Sequence, residues 1–252
     1  MSQKDWEPDP FMQQMANNNP TLRIFRSIGV GSVLLALAAC QPTMDEVIAS
    51  HRVAVQAVFD KITALEAVVA NTPPVAEDQM DAGAQRVVLE GAETNALLIH
   101  ADDLKAPERA GASRTGATHA GTIETCGRAM SGDAPGVPAG VDSMLRECAD
   151  AEFLFILRAR VDEPAEIVEV RSYRPGRFAG EVLLFRLSDG TLLGGFSVSA
   201  TNNDSLMAQV DEAGVPKDLA GRLQGELSSN VFAGINAKLR KHVPGSVRED
   251  GP

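Results

Sequence analysis

The stretch from Phe153 to Ala200 constrains the fold more than any other. Phe153, Phe155, Leu157, Ala159 and Val161 fall on one face of an extended strand, and Leu154, Ile156, Arg158 and Arg160 fall on the other. The second face begins apolar and ends charged, which predicts a central strand with one end in solvent. Asp162-Glu163-Pro164 turns the chain into a second strand, Ile167 to Tyr173, and Arg174-Pro175-Gly176 turns it into a third, Glu181 to Leu187. Asp189-Gly190 predicts a two-residue hairpin, whose central positions need positive φ, and Thr191 to Ala200 returns as a fourth strand. Gly194-Gly195 inside that strand predicts a bulge or the close approach of another backbone.

Helices flank this region. Thr43 stands three residues before Glu46, a capping box. Val47, Ile48, Val55, Val58, Phe59, Ile62, Leu65 and Val69 then recur at helical spacing, predicting an amphipathic helix of about seven turns that stops before Pro73-Pro74. Its polar face, with Asp45, Glu46, Arg52, Asp60, Lys61 and Glu66, is not the lysine-rich face of a membrane-surface helix, so it is expected to pack on its own domain. Asn202-Asn203-Asp204-Ser205 caps a short helix at Leu206 to Glu212. Pro216 opens a final helix in which Leu219, Leu223, Leu227, Val231, Ile235 and Leu239 recur every four residues, with Lys238, Arg240, Lys241 and His242 at its negative end. The expected class is α+β: an antiparallel β-meander of at least four strands, one face covered by the N-terminal and C-terminal amphipathic helices.

Between these parts the signals are weaker. Val87-Val88-Leu89 and Leu97-Leu98-Ile99 are either two strands or a strand and a short helix. Residues 105–140 are rich in Gly, Ala, Ser, Thr and Pro, with short helices expected around Thr122 to Met130 and Val141 to Ala149. The resulting division is a leader at 1–39, an N-terminal helical segment at 40–72, a linker at 73–83, a single α+β domain at 84–245 and a disordered tail at 246–252.

The leader carries its own pattern. Arg23 and Arg26 precede an apolar run from Ile28 to Ala39, too short for a hydrocarbon core that needs about 20 apolar residues. The run ends in Leu37-Ala38-Ala39-Cys40, which resembles the lipobox of bacterial lipoproteins: an aliphatic residue, two small residues and a cysteine. That resemblance, covering residues 23–41, implies diacylglycerol on the Cys40 sulfur, cleavage before Cys40 and acylation of the new amino terminus by a fatty acid such as palmitate. Gln41, in place of an acidic residue, implies the periplasmic side of the outer membrane over the inner membrane. No family is resembled by the rest of the chain.

Charge and cysteine usage narrow the partners. The formal net charge is -11. Lys4, Arg23 and Arg26 balance Asp5, Glu7 and Asp9, so removal of the leader leaves that charge unchanged. Such a chain is repelled by nucleic acid, and the expected membrane contact is through the lipid on Cys40 alone. About 213 residues remain, enough for a proper core. In an oxidising envelope Cys126 and Cys148 are expected to form a disulfide, stabilising by roughly 3 kcal/mol in the chain-entropy model.

Motifs for catalysis or cofactors are absent from the sequence: no phosphate loop, no Gly-x-Ser-x-Gly, no His-Glu-x-x-His and no calcium loop, so no cofactor or metal is expected. His51, His100, His119 and His242 lie far apart. His100 with Asp102 and Asp103 is the best acid/base or metal candidate, set against a solvated strand end. Asn202, Asn203 and Asp204 offer calcium-type oxygens, set against helix capping. Ser113 and Ser197 show no partner in sequence. Arg158, Arg160 and Arg171 are candidates for an anion-binding rim for a ligand such as a cell-wall carboxylate, set against pairing with Glu163, Glu166, Glu169 and Glu181. The expected function is a noncatalytic envelope lipoprotein domain that binds an envelope protein or cell-wall ligand. The alternative is a periplasmic hydrolase with a dispersed site around His100.

Overall fold

The computed structural model describes residues 42–81, 86–89, 94–110, 122–133, 136–169, 172–205 and 218–243. The first helix begins as its capping box dictates. In α1 (Met44–Ala64) the Thr43 hydroxyl accepts the Glu46 N–H at 3.3 Å, and the Glu46 carboxylate accepts the Thr43 N–H at 2.8 Å. The expected single helix is broken at Leu65, whose N–H donates to Ile62 one residue short of the α-helical partner, and α2 (Glu66–Asn71) follows. All eight residues of the apolar stripe, from Val47 to Val69, are buried.

The main sheet has five strands, in the order β1 (Gln79–Met80), β7 (Leu192–Thr201), β6 (Arg177–Arg186), β3 (Phe153–Glu163), β2 (Ala96–His100). The pairs β3–β6, β6–β7 and β1–β7 are antiparallel, but β2 joins β3 in parallel, with Ala96 opposite Phe153 and His100 opposite Leu157. The sheet is therefore mixed, mostly antiparallel and not a simple meander. A parallel pair needs a long crossover, and here it contains α3 (Thr122–Ser131) and α4 (Pro138–Ala149). The continuously buried runs Ala96–His100 and Phe153–Leu157 are what a pair covered on both faces requires.

Two more expectations are corrected. The stretch Ile167 to Tyr173 does not enter the sheet. It forms a separate ribbon of β4 (Glu166–Glu169) against β5 (Ser172–Arg174), and because Ile167 and Val168 are exposed, this segment has no buried face to offer the sheet. The β6–β7 turn is longer than two residues: Arg186 and Thr191 are bonded across Leu187–Gly190, and Gly190 is the position with positive φ, at 70°. Gly194 meets both expectations for its stretch, lying at a register shift with φ 127° where a Cβ would overlap the Gln79 carbonyl of β1.

Helices cover both faces of the sheet. Leu97, Ile99, Leu154, Ile156, Leu183 and Phe185 pack into one core with α1, α2, α3 and α4. Leu98, Phe155, Leu157, Val182, Leu184, Phe196 and Val198 pack into another with α5 (Leu219–His242). The first and last helices thus lie on opposite faces, since strands buried on both sides need both. The short helix expected at 206–212, Pro216 and the tail lie outside the described residues.

Residues 73–81 of the linker expected at 73–83 run along the sheet, and residues 82–83 lie outside the described residues. Val75 N–H donates to Glu181, Asp78 accepts the Ser197 N–H at 3.0 Å, and Gln79 and Met80 pair with Gly195 and Gly194. Cys126 of α3 and Cys148 of α4 form a disulfide with a Cα–Cα distance of 6.0 Å.

Candidate functional site

Beyond Leu157 the central strand leaves its buried run, and its charged residues take different roles. Arg158 turns towards the chain's own backbone. Its Nε donates to Glu181 at 3.1 Å, Nη1 donates to the carbonyls of Val69 and Thr72 at 3.1 and 2.7 Å, and Nη2 donates to Pro73 at 3.0 Å. It thereby supplies donors to the Thr72 and Pro73 carbonyls just past α2 and a second donor to Val69, which also accepts the Thr72 N–H. Burial pushes the Glu181 carboxyl up, but the Val75 N–H and the Arg158 guanidinium outweigh this and hold its pKa below the usual value.

Arg160 is positioned by a break in the ladder. Ala159 pairs with Gly180 and Val161 with Ala179, so Arg160 has no opposite residue and forms a bulge. Gly180 is required there, because a Cβ would lie 2.5 Å from the Arg158 carbonyl oxygen. Arg171 lies outside the described residues, and of the other two arginines of the expected rim Arg158 is taken up by Glu181 and backbone carbonyls. The neighbouring arginines follow the pairing alternative: Arg177 with Glu163 at 2.7 Å, and Arg174 with Glu166 at 2.8 Å.

Arg160 opens onto a cleft of about 620 Å³ where β3, β6 and β7 meet the second half of α5. Arg160, Lys238, Ser197, Ser199, Val161 and Val198 line it, with Ala179, Gly180 and Gly234 keeping it free of large side chains. A smaller cleft of about 370 Å³ shares Val161, Ala179 and Ser199 and extends to Arg177 and Thr201. Lys238 donates to Asp78 in a short ion pair, and that bond, first among several causes, holds the Asp78 pKa below the usual carboxylate range. His242 Nε2 stands 4.0 Å from the same carboxylate.

The other candidates fall elsewhere. His100 is buried at 2% exposure at the end of β2 and lines neither cleft, with Asp102 and Asp103 in the 3-10 turn that follows. His51 bonds Asp142 of α4 at 2.8 Å. Ser113 and His119 lie outside the described residues. Asn202 is consumed structurally: its Oδ1 accepts the Gly176 N–H, and its Nδ2 donates to the Leu223 carbonyl at 2.7 Å and to Glu226 at 2.8 Å. Asn203 donates to Glu226 as well. Among the described residues no group of three or more His, Cys, Asp or Glu could hold a metal ion, and no helix is long and apolar enough to cross a membrane.

Sequence reasoning finds Arg160 but misses Lys238 and Ser199 as its neighbours in the cleft, and Asp78 as the partner of Lys238. The basic cluster at the end of α5 was the available signal for Lys238. Asp78 had none, because its strap reads as a linker. Fold and site together define an α+β domain with a cleft at one end of its sheet that sets Arg160, Lys238 and two serines among small and apolar residues. No protein-family model matches the chain, and no curated protein matches it.

Proposed function

We propose that this chain is an envelope lipoprotein, tethered through lipid on Cys40 to the periplasmic side of the outer membrane, whose folded part is a noncatalytic binding module. The sequence from Arg23 to Gln41 supports the tether, through its resemblance to a lipobox. One structural observation supports the binding reading: a cleft of about 620 Å³, within the usual size range of small-ligand sites, lined by Arg160, Lys238, Ser197 and Ser199. Guanidinium and hydroxyl groups hold polar or anionic ligands by hydrogen bonding and need no cofactor to do so. A cell-wall ligand suits both the compartment and the cleft.

Two measurements test it. Cells expressing the chain should incorporate radiolabelled palmitate into it, and the Cys40→Ser variant should not. The purified full-length chain should be retained on isolated peptidoglycan sacculi. Labelling that persists in Cys40→Ser overturns the tether, and absence of retention overturns the cell-wall reading.

A further inference from the structure

The charge count of the cleft defines its ligand more closely, an inference that rests on the binding reading above. Two cations among the described residues line the cleft, and they are not equivalent. Lys238 is held by Asp78, whose other oxygen accepts the Ser197 N–H, so the pair contributes no net charge. Arg160 is exposed, set on a bulge, and makes no hydrogen bond or ion pair among the described residues. Its field reaches Glu181, but that carboxylate already accepts from Arg158 and from the Val75 N–H. Among the described residues, the cleft therefore offers one uncompensated positive charge, presented as a planar fork.

We infer that the cleft binds a monocarboxylate on a neutral, hydroxyl- or amide-bearing body of about monosaccharide to dipeptide size. The guanidinium of Arg160 takes the carboxylate in the two-point geometry that suits it. The exposed Ser197 and Ser199 supply hydroxyls, and Val161 and Val198 supply apolar contact, for the neutral body. A dianion is a poorer match. Its second charge meets no free cation among the described residues of the cleft, in a chain whose net charge is -11. Asp78 thus acts as a selectivity residue: by neutralising Lys238 it keeps the site at one net charge.

Three probes that share one sugar ring isolate this point by calorimetry on the full-length chain. N-acetylmuramic acid carries one carboxylate, N-acetylglucosamine carries no charge, and N-acetylglucosamine 6-phosphate carries a dianion. The first should bind best and the neutral sugar worst. Arg160→Ala should weaken N-acetylmuramic acid by about tenfold or more, the loss expected for a charge-assisted hydrogen-bonded pair, with Arg160→Lys intermediate. Asp78→Asn should narrow the gap between phosphate and carboxylate by freeing Lys238. Circular dichroism checks that each variant is folded. Equal affinity for the neutral sugar, an unchanged Arg160→Ala, or tighter binding of the phosphate to the unaltered chain would overturn the inference. A chain that is retained on sacculi yet ignores N-acetylmuramic acid overturns this ligand class alone. A chain that binds the sugar acid but not sacculi overturns the cell-wall reading alone.

Discussion

At the scale of single residues, Arg158 and Arg160 show how little sequence proximity says about role. The two are separated by one residue, yet the first closes a structural joint and the second, displaced by a bulge, faces the cleft. Glu181 is 3% exposed and depends on Arg158 and the Val75 N–H for its charge. Replacing Arg158 by Met leaves a buried carboxylate short of a partner and the carbonyls of Thr72 and Pro73 without this donor, while Val69 keeps only the Thr72 N–H. The expected cost is about 3 kcal/mol, read as a lower urea midpoint at unchanged slope. An unchanged midpoint would mean that water replaces the guanidinium freely. The same carboxylate has a pH signature. Its pKa is lower folded than unfolded, so its contribution is fully present above the unfolded value of about 4.3 and is lost as pH falls through the folded value. Asp78 and Asp142, also lowered, add to this acid limb, Asp78 mainly through the Lys238 bond and Asp142 mainly through the His51 bond. Urea midpoints measured from about pH 6 down to pH 3 should therefore fall less steeply for Glu181→Gln than for the unaltered chain.

At the scale of elements, what was legible in the sequence is what side-chain periodicity encodes. The capping box at Thr43, the four-residue recurrence from Leu223 to Leu239 and the buried run Phe153–Leu157 each mark an element by a repeated choice of side chain. What was hidden is written in backbone or in distance. Strand β1 is two residues long and is specified by the absence of a Cβ on its partner Gly194. The parallel pairing of β2 depends on a crossover whose helices reveal nothing about direction, and Lys238 meets Asp78 across 160 residues of chain. Gly194→Val tests the first of these. The side chain would require an unfavourable positive φ and would displace Gln79, so β1 should detach, and stability should fall by at least about 2 kcal/mol. Hydrogen exchange should show loss of protection at Asp81, whose N–H bonds the Leu193 carbonyl at 2.6 Å; retained protection would contradict the strap. The disulfide between α3 and α4 is a second element-scale joint. Replacing Cys126 and Cys148 by Ala should lower the stability by about 3 kcal/mol, by easing the constraint on the unfolded chain.

At the scale of the whole molecule, one sheet separates two cores, and the question is whether they behave as one. Alternate residues of the same strands feed them: Leu154 and Ile156 meet the helices of the α1 side, while Phe153, Phe155 and Leu157 meet the α5 side. Neither core can be lost without removing one face from β3 and β6, and a strand built of apolar residues on both faces cannot stand with one face in water. The second domain that a chain of this size could hold is therefore absent among the described residues, and the two layers should unfold together. Phe59, 2% exposed on α1, and Phe196, fully buried on β7, probe one core each. Phe59→Ala and Phe196→Ala should each lower stability by about 3–5 kcal/mol, and each should shift the same single urea transition followed by far-UV circular dichroism. Slowly exchanging amides of β3 and β6 should lose protection in both variants alike. A biphasic curve, with one phase moved by Phe59→Ala and the other by Phe196→Ala, would show instead that the sheet holds its shape with one layer removed.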